Sequence, residues 1–117
     1  MIINGSLNLN NCSKLASLEI IEEITGSLYL RGCDNLKSLG NLKKVGYSVK
    51  LIGCSNLTSL GNLKVVGGNL DLENCVSLES LGNLNIIGGH IDLVNSGITR
   101  EYILKEFANL INRCIFY

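Results

Sequence analysis

Hydrophobic positions along this chain follow neither the alternation of a strand nor the spacing of a helix. In the stretch from Gly68 they fall at Leu70, Leu72, Cys75, Leu78, Leu81, Leu84 and Ile87, one step of two followed by steps of three. A helix face needs mixed threes and fours, and an isolated strand needs twos throughout. The pattern predicts two-residue strands joined by tight corners, in a chain that coils so that one residue in three points inward. Cys12, Cys33, Cys54 and Cys75 mark the beat, each 21 residues after the last. Units beginning at Gly26, Tyr47 and Gly68 align without a gap. The first, from Gly5, drifts late, with Glu19 and Ile20 where the others have Gly-Asn. A fifth, from Gly89, keeps its front half through Leu93 and has Ser96 in the cysteine's place.

Self-similarity at a fixed period signals stacked repeats, none of which can bury its apolar face alone. Each turn is expected to lie on the next at the usual strand separation of about 4.8 Å. Gly40, Gly61 and Gly82, and likewise Gly46, Gly67 and Gly88, are expected to form the corners because glycine tolerates positive φ. The ends need covers. Thr99 stands where it can cap a helix, with Glu101 in the first turn and Ile103, Phe107, Leu110, Ile111 and Cys114 at helical spacing. The expected plan is a single domain: residues 1–98 a β-solenoid of about five turns, residues 99–114 a C-terminal capping helix. Ile115-Phe116-Tyr117 would extend the cap or reach a neighbouring subunit. At the other end only Met1, Ile2, Ile3 and Asn4 precede the first unit. An uncovered turn shows unpaired backbone groups and apolar side chains, which proteins usually hide. A homodimer through Met1, Ile2 and Ile3 is therefore expected.

Composition narrows the function classes. Lys plus Arg and Asp plus Glu both number 10 in 117 residues, so the net charge is zero and no nucleic-acid partner is expected. No apolar run approaches the length of a membrane span. The N-terminus lacks the basic and apolar regions of a signal peptide, and five cysteines then read as reduced thiols in a cytoplasmic protein.

The phrases Ser-Leu-Gly-Asn-Leu-Lys-Val-Val-Gly-Gly-Asn-Leu-Asp-Leu (59–72) and Leu-Gly-Asn-Leu-Asn-Ile-Ile-Gly-Gly-His-Ile-Asp-Leu (81–93) resemble the receptor L-domain, a leucine-rich-repeat relative. They are also similar to repeat proteins of bacteria and their phages with the pattern Leu-x-x-Leu-x-x-Ile-x-Gly-x-Leu-x-Leu. The resemblance covers about residues 3–95 and implies a mainly β fold, a right-handed parallel β-solenoid serving as an interaction surface. Receptor L-domains are extracellular, disulfide-bonded and irregular in repeat length. This chain is regular and lacks paired end-cap cysteines, so the receptor role does not carry over.

Three features invite chemistry. The cysteine column lacks the close pairs of metal sites, and stacked parallel side chains leave Cβ atoms wide of disulfide geometry, so core packing is the expectation. Asp71 and Asp92, with Glu73 and His90 near, could hold a divalent cation or act as an acid–base pair, but a flat face excludes no water. No catalytic residue, metal or cofactor is expected, and the chain reads as a non-enzyme. The outward positions of the Leu-x-Leu strand form a face: Tyr29, Arg31, Lys50, Ile52, Asp71, Glu73, His90 and Asp92 vary on a constant frame, with basic residues sorted from acidic ones. These eight are the expected protein-binding surface, against a solvated face with cross-strand pairs such as Lys50 beside Asp71. The expected function is a cytoplasmic protein-binding module, by analogy a phage- or mobile-element-encoded inhibitor of a bacterial protein working in the host cytoplasm. The rival is a repeat segment of a surface or adhesive protein binding carbohydrate or a receptor ligand. Carbohydrate sites favour aromatic platforms, and only Tyr29 and Tyr47 lie near this face.

Overall fold

In a computed structural model describing residues 1–117, the 21-residue beat becomes two parallel sheets. Sheet A stacks β1 (Ile2–Ile3), β3 (Glu23–Ile24), β5 (Lys44–Val45), β7 (Val65–Val66) and β9 (Ile86–Ile87) in that order. Sheet B stacks β2 (Leu7–Asn8), β4 (Leu28–Tyr29), β6 (Val49–Lys50), β8 (Leu70–Asp71) and β10 (Ile91–Asp92), and adds β11 (Cys114–Ile115) beyond β10. Each strand faces its equivalent in the next turn, as in Leu28 opposite Val49 and Val49 opposite Leu70. The protein is a mainly β solenoid of stacked repeats with a short C-terminal helix.

The period-three positions all turn inward. With Ile98, Ile103 and Leu110 they form one core of 29 buried apolar residues with no polar or charged side chain inside it. An interior so uniform does not fix which turn sits on which, because every layer offers the next the same surface. Outside the core, polar side chains add hydrogen bonds within each turn and between turns. The Ser38, Ser59 and Ser80 hydroxyls each accept from the N–H two residues on, at 3.0, 3.0 and 2.8 Å. The Asn41 amide donates to the Glu19 carbonyl at 2.7 Å, and Asn62 donates to the Asn41 side chain at 3.4 Å.

The two glycine rows have different reasons. Gly40, Gly61 and Gly82 lie at φ 62, 62 and 59°, the left-handed corner expected of them. Gly46, Gly67 and Gly88 do not, which corrects the sequence expectation. A Cβ on any of them would collide with the carbonyl of Thr25, Gly46 or Gly67 in the turn before, so close backbone approach is what excludes a side chain. The residues with positive φ just before the cysteine column are Asn11, Gly32, Gly53, Asn74 and, before Ser96, Asn95. Only glycine and asparagine occupy this row, the two residues that enter the left-handed region most readily.

All five cysteines are free thiols, and Cys33, Cys54 and Cys75 are fully buried. They do more than pack. Each donates its S–H to a carbonyl of the preceding turn: Cys33 to Leu9 at 3.2 Å, Cys54 to Leu30 at 3.0 Å and Cys75 to Leu51 at 3.1 Å. Burial pushes the Cys33 thiol up from its ordinary pKa, Cys54 up to about 11 and Cys75 up to about 12.

The C-terminal segment covers the last turn, though not as a helix over 99–114. The helix α1 spans Arg100–Glu106, with the Thr99 hydroxyl accepting from the Tyr102 N–H as the sequence implies. A 3-10 helix follows at Ala108–Arg113, and Cys114–Ile115 then run as β11. The helix stops because the tail must return to the edge of sheet B, where Ile91 faces Cys114 and the Leu93 N–H donates to the Ile115 carbonyl at 2.7 Å. Ile103 and Leu110 are buried over the last turn, and the Tyr102 hydroxyl accepts from the Leu81 N–H at 3.1 Å. The Arg113 guanidinium donates to the Gly88 and Gly89 carbonyls at 3.3 and 3.0 Å. No helix is long and apolar enough to cross a membrane.

Candidate functional site

The outer face of sheet B follows from strand alternation. Leu28, Val49, Leu70 and Ile91 point inward and are fully buried, so the next residues in each strand, Tyr29, Lys50, Asp71 and Asp92, point out. The parallel register sets them side by side, Tyr29 against Lys50, Lys50 against Asp71 and Asp71 against Asp92. Two residues further on, beyond each strand, stand Arg31, Ile52 and Glu73.

Five of the eight residues expected to bind come together. Tyr29, Arg31, Lys50, Ile52 and Asp71, joined by Asn10 from the first turn, line a depression of about 230 Å³. Within it the Lys50 ammonium donates to Asp71 Oδ2 at 2.7 Å, the cross-strand pair that the sequence made available. The Asp71 side chain is only 13% exposed, so this pair is better shielded than the other two ion pairs of the molecule. Arg31 is exposed and takes part in none of the three. Its backbone N–H donates to Asn10 Oδ1 at 2.8 Å, which ties the base of the arginine to the turn before. The depression thus offers one free guanidinium beside an aromatic ring and an isoleucine, with a lysine held by its pairing to Asp71. Asn10 was legible as an outward position, but as a small polar residue it gave no signal of lining anything.

Glu73, His90 and Asp92 lie outside the depression. Asp92 spends one carboxylate oxygen on the Val94 N–H at 3.0 Å. Asp71 and Asp92 are neighbours in register, yet no group of three His, Cys, Asp or Glu side chains is arranged to hold a metal ion. The His90 backbone N–H donates to Asn69 Oδ1 at 3.0 Å, the last rung of a ladder in which Ser6, Ser27 and Ser48 accept from the N–H one turn on. This row pins the turns together, so its hydroxyls are occupied by the fold.

Of the N-terminal residues, Met1 and Ile2 are each 58% exposed and Ile3 is half-buried. Ile3 points into the stack, whereas Ile2 projects from the outer face of sheet A in line with Glu23, Lys44, Val65 and Ile86. The Met1 ammonium lies 3.5 Å from Glu22, which also meets Lys43 of the next turn at 3.7 Å.

Comparison with models of protein families, with curated protein sequences and with solved structures returned no match.

Proposed function

We propose that this protein is a non-enzymatic binding module whose partner is another protein, docked on the outer face of sheet B over Tyr29, Arg31, Lys50 and Ile52. The observation that carries the reading is the depression itself. Tyrosine and arginine are the residue types that concentrate binding energy at protein interfaces, best when they flank a pocket that water can leave. The free Arg31 beside the Lys50–Asp71 pair favours a partner segment with a carboxylate, placed next to an apolar side chain that meets Tyr29 and Ile52. The strands beneath are paired on both sides and anchored by the fully buried Leu28, Val49 and Leu70, so little ordering would oppose binding.

The pattern resemblance to L-domain-like leucine-rich repeats supports an interaction role, and its bacterial and phage examples extend the proposal to an inhibitor of a bacterial protein acting in the host cytoplasm. The thiols support the non-enzymatic part. A nucleophilic cysteine needs a lowered pKa and access, and the buried column has the reverse of both.

The test is affinity capture from bacterial lysate with the wild-type chain and with Arg31→Glu and Tyr29→Ala, each retained protein being identified by mass. A partner held by the wild type should bind at least roughly tenfold more weakly to each variant, as removal of a hot-spot side chain predicts. Equal capture by all three would place the contact elsewhere, and binding to a glycan array without protein capture would favour the adhesive alternative.

A further inference from the structure

The depression is one end of a longer strip. In the row two residues beyond each outward strand position of sheet B stand Arg31, Ile52, Glu73 and Val94, each one turn after the last. The backbone holds them in register: the Gly32 N–H donates to the Ile52 carbonyl, Gly53 to Glu73 and Asn74 to Val94, at 2.9, 2.9 and 3.0 Å. The row therefore reads cation, apolar, anion, apolar. In the neighbouring row, on the strands themselves, Lys50 and Asp71 neutralise each other in the middle. What remains uncompensated is Arg31 at one end and Glu73 with Asp92 at the other, none of which takes part in an ion pair.

We propose that this strip seats an amphipathic α-helix of the partner protein, laid along the stack, with a carboxylate over Arg31, an apolar side chain over Ile52 and a cationic side chain over Glu73. The inference rests on the outer face of sheet B being the docking face. Spacing selects the helix. Arg31 and Glu73 are two turns apart, ~9.6 Å at the ordinary strand separation. In a helix, residues i and i+7 share a face about 10.5 Å apart, and i+3 and i+4 fall midway between them. In an extended segment the same-face residues lie roughly 6.7 or 13 Å apart, and the one at about 10 Å points away. Hydrogen bonding selects the helix as well. Strands β4, β6 and β8 are paired on both sides, so no edge here accepts an added strand. An extended segment lying across the face would bury N–H and C=O groups without partners, whereas a helix satisfies its own. Glu73, outside the depression, thereby becomes a specificity residue. It rejects a helix that carries two acids, as Arg31 rejects one that carries two bases.

The experiment measures the fluorescence anisotropy of labelled, alanine-based helical peptides titrated with the full chain. The probe carries Glu at i, Leu at i+3 and i+4, and Lys at i+7, so that it can dock in either direction. Controls move the Lys to i+9 on the opposite face, carry Glu or Lys at both ends, or break the helix with Pro at i+5. The probe should bind at least about tenfold more tightly than every control. Arg31→Glu and Glu73→Lys should each weaken it by about tenfold, with an unchanged circular dichroism spectrum, since both side chains face outward. The two substitutions together should restore binding, because the helix then docks end for end. Probe and controls that bind alike, or not at all, overturn the helix, as does a double variant that recovers nothing. Those outcomes leave the docking face standing if lysate capture still falls with Arg31→Glu. Capture that ignores Arg31→Glu removes both.

Discussion

The last full strand of sheet B and its first carry the same kind of inward residue, yet Ile91 is fully buried and Leu7 is half-buried. The difference lies in what comes next. Beyond Ile91 the chain supplies a helix, a 3-10 turn and a sixth strand, and Arg113 reaches back to two carbonyls that would otherwise face solvent. Leu7 lies on β2, the outermost strand at the other edge of sheet B, paired on one side only. One repeat unit therefore leads to two local outcomes, and a solenoid turn owes its burial to its neighbours rather than to its own residues. The cysteine column shows this on a smaller scale. Cys33, Cys54 and Cys75 each have a turn before them to supply a carbonyl, while Cys12 has none and remains half-buried.

The strongest test of that contrast removes the covered end. A chain ending at Ile98 loses the buried Ile103 and Leu110 and uncovers Ile91 and Leu93, a loss on the order of 5 kcal/mol or more at ~1.5–3 kcal/mol per side chain. Against a typical total of about 5–15 kcal/mol, thermal melting followed by circular dichroism should show a chain unfolded or aggregating near room temperature. Melting close to that of the full chain would mean that the segment covers nothing of consequence.

Paired substitutions probe the same contrast more gently. Leu110→Ala, in the buried cover, should destabilise by about 2–5 kcal/mol in urea denaturation, while Leu9→Ala, half-exposed on the open turn, should lose roughly 1 kcal/mol. A Leu9→Ala effect that matches Leu110→Ala, and grows with protein concentration, would show the open end covered in solution by another copy.

A further contrast is a pH dependence carried by the buried thiols, confined to alkaline solution. An unfolded thiol ionises near its ordinary pKa of 9.0, while Cys54 and Cys75 in the fold hold their protons to about 11 and 12. Their contribution to stability is therefore complete below pH 9 and is lost as pH rises toward those folded values, at up to about 1.4 kcal/mol per pH unit for each thiol. Cys75→Ser should flatten that slope in denaturation curves taken at successive pH values. At pH 8 a thiol reagent should label Cys12 in the native protein well before Cys54 or Cys75.

Much of this was legible in one dimension because a repeat interacts mainly with its own copies. The spacing of Leu70, Leu72, Cys75, Leu78, Leu81, Leu84 and Ile87 identifies the inward row, and translation by 21 residues identifies the partner strand. The same reasoning puts Tyr29, Lys50 and Asp71 side by side on the outer face. It separates them from the core, but it does not say that Arg31 stays free, that Asp71 goes to Lys50, or that Asn10 completes a depression. Those depend on side-chain reach across turns. The Gly46, Gly67 and Gly88 row was visible as glycine, while its reason, a carbonyl of the previous turn too near for any Cβ, exists only once the turns are stacked.

The sequence by itself determined the period, the inward and outward faces, and the helix start at Thr99, because each is set by local spacing or by one side chain and one N–H. The tertiary structure alone decided how the stack ends. The 21-residue beat would put Asn112 opposite Ile91, yet Cys114 stands there, because α1 and the 3-10 helix take two more residues to bring the chain back to the sheet edge. A helical residue advances only about 1.5 Å against roughly 3.3 Å in a strand, so replacing corners by helix changes the count. No pattern within the tail states that count. The edge of β10 does, since the tail must end where that edge has hydrogen bonds to fill.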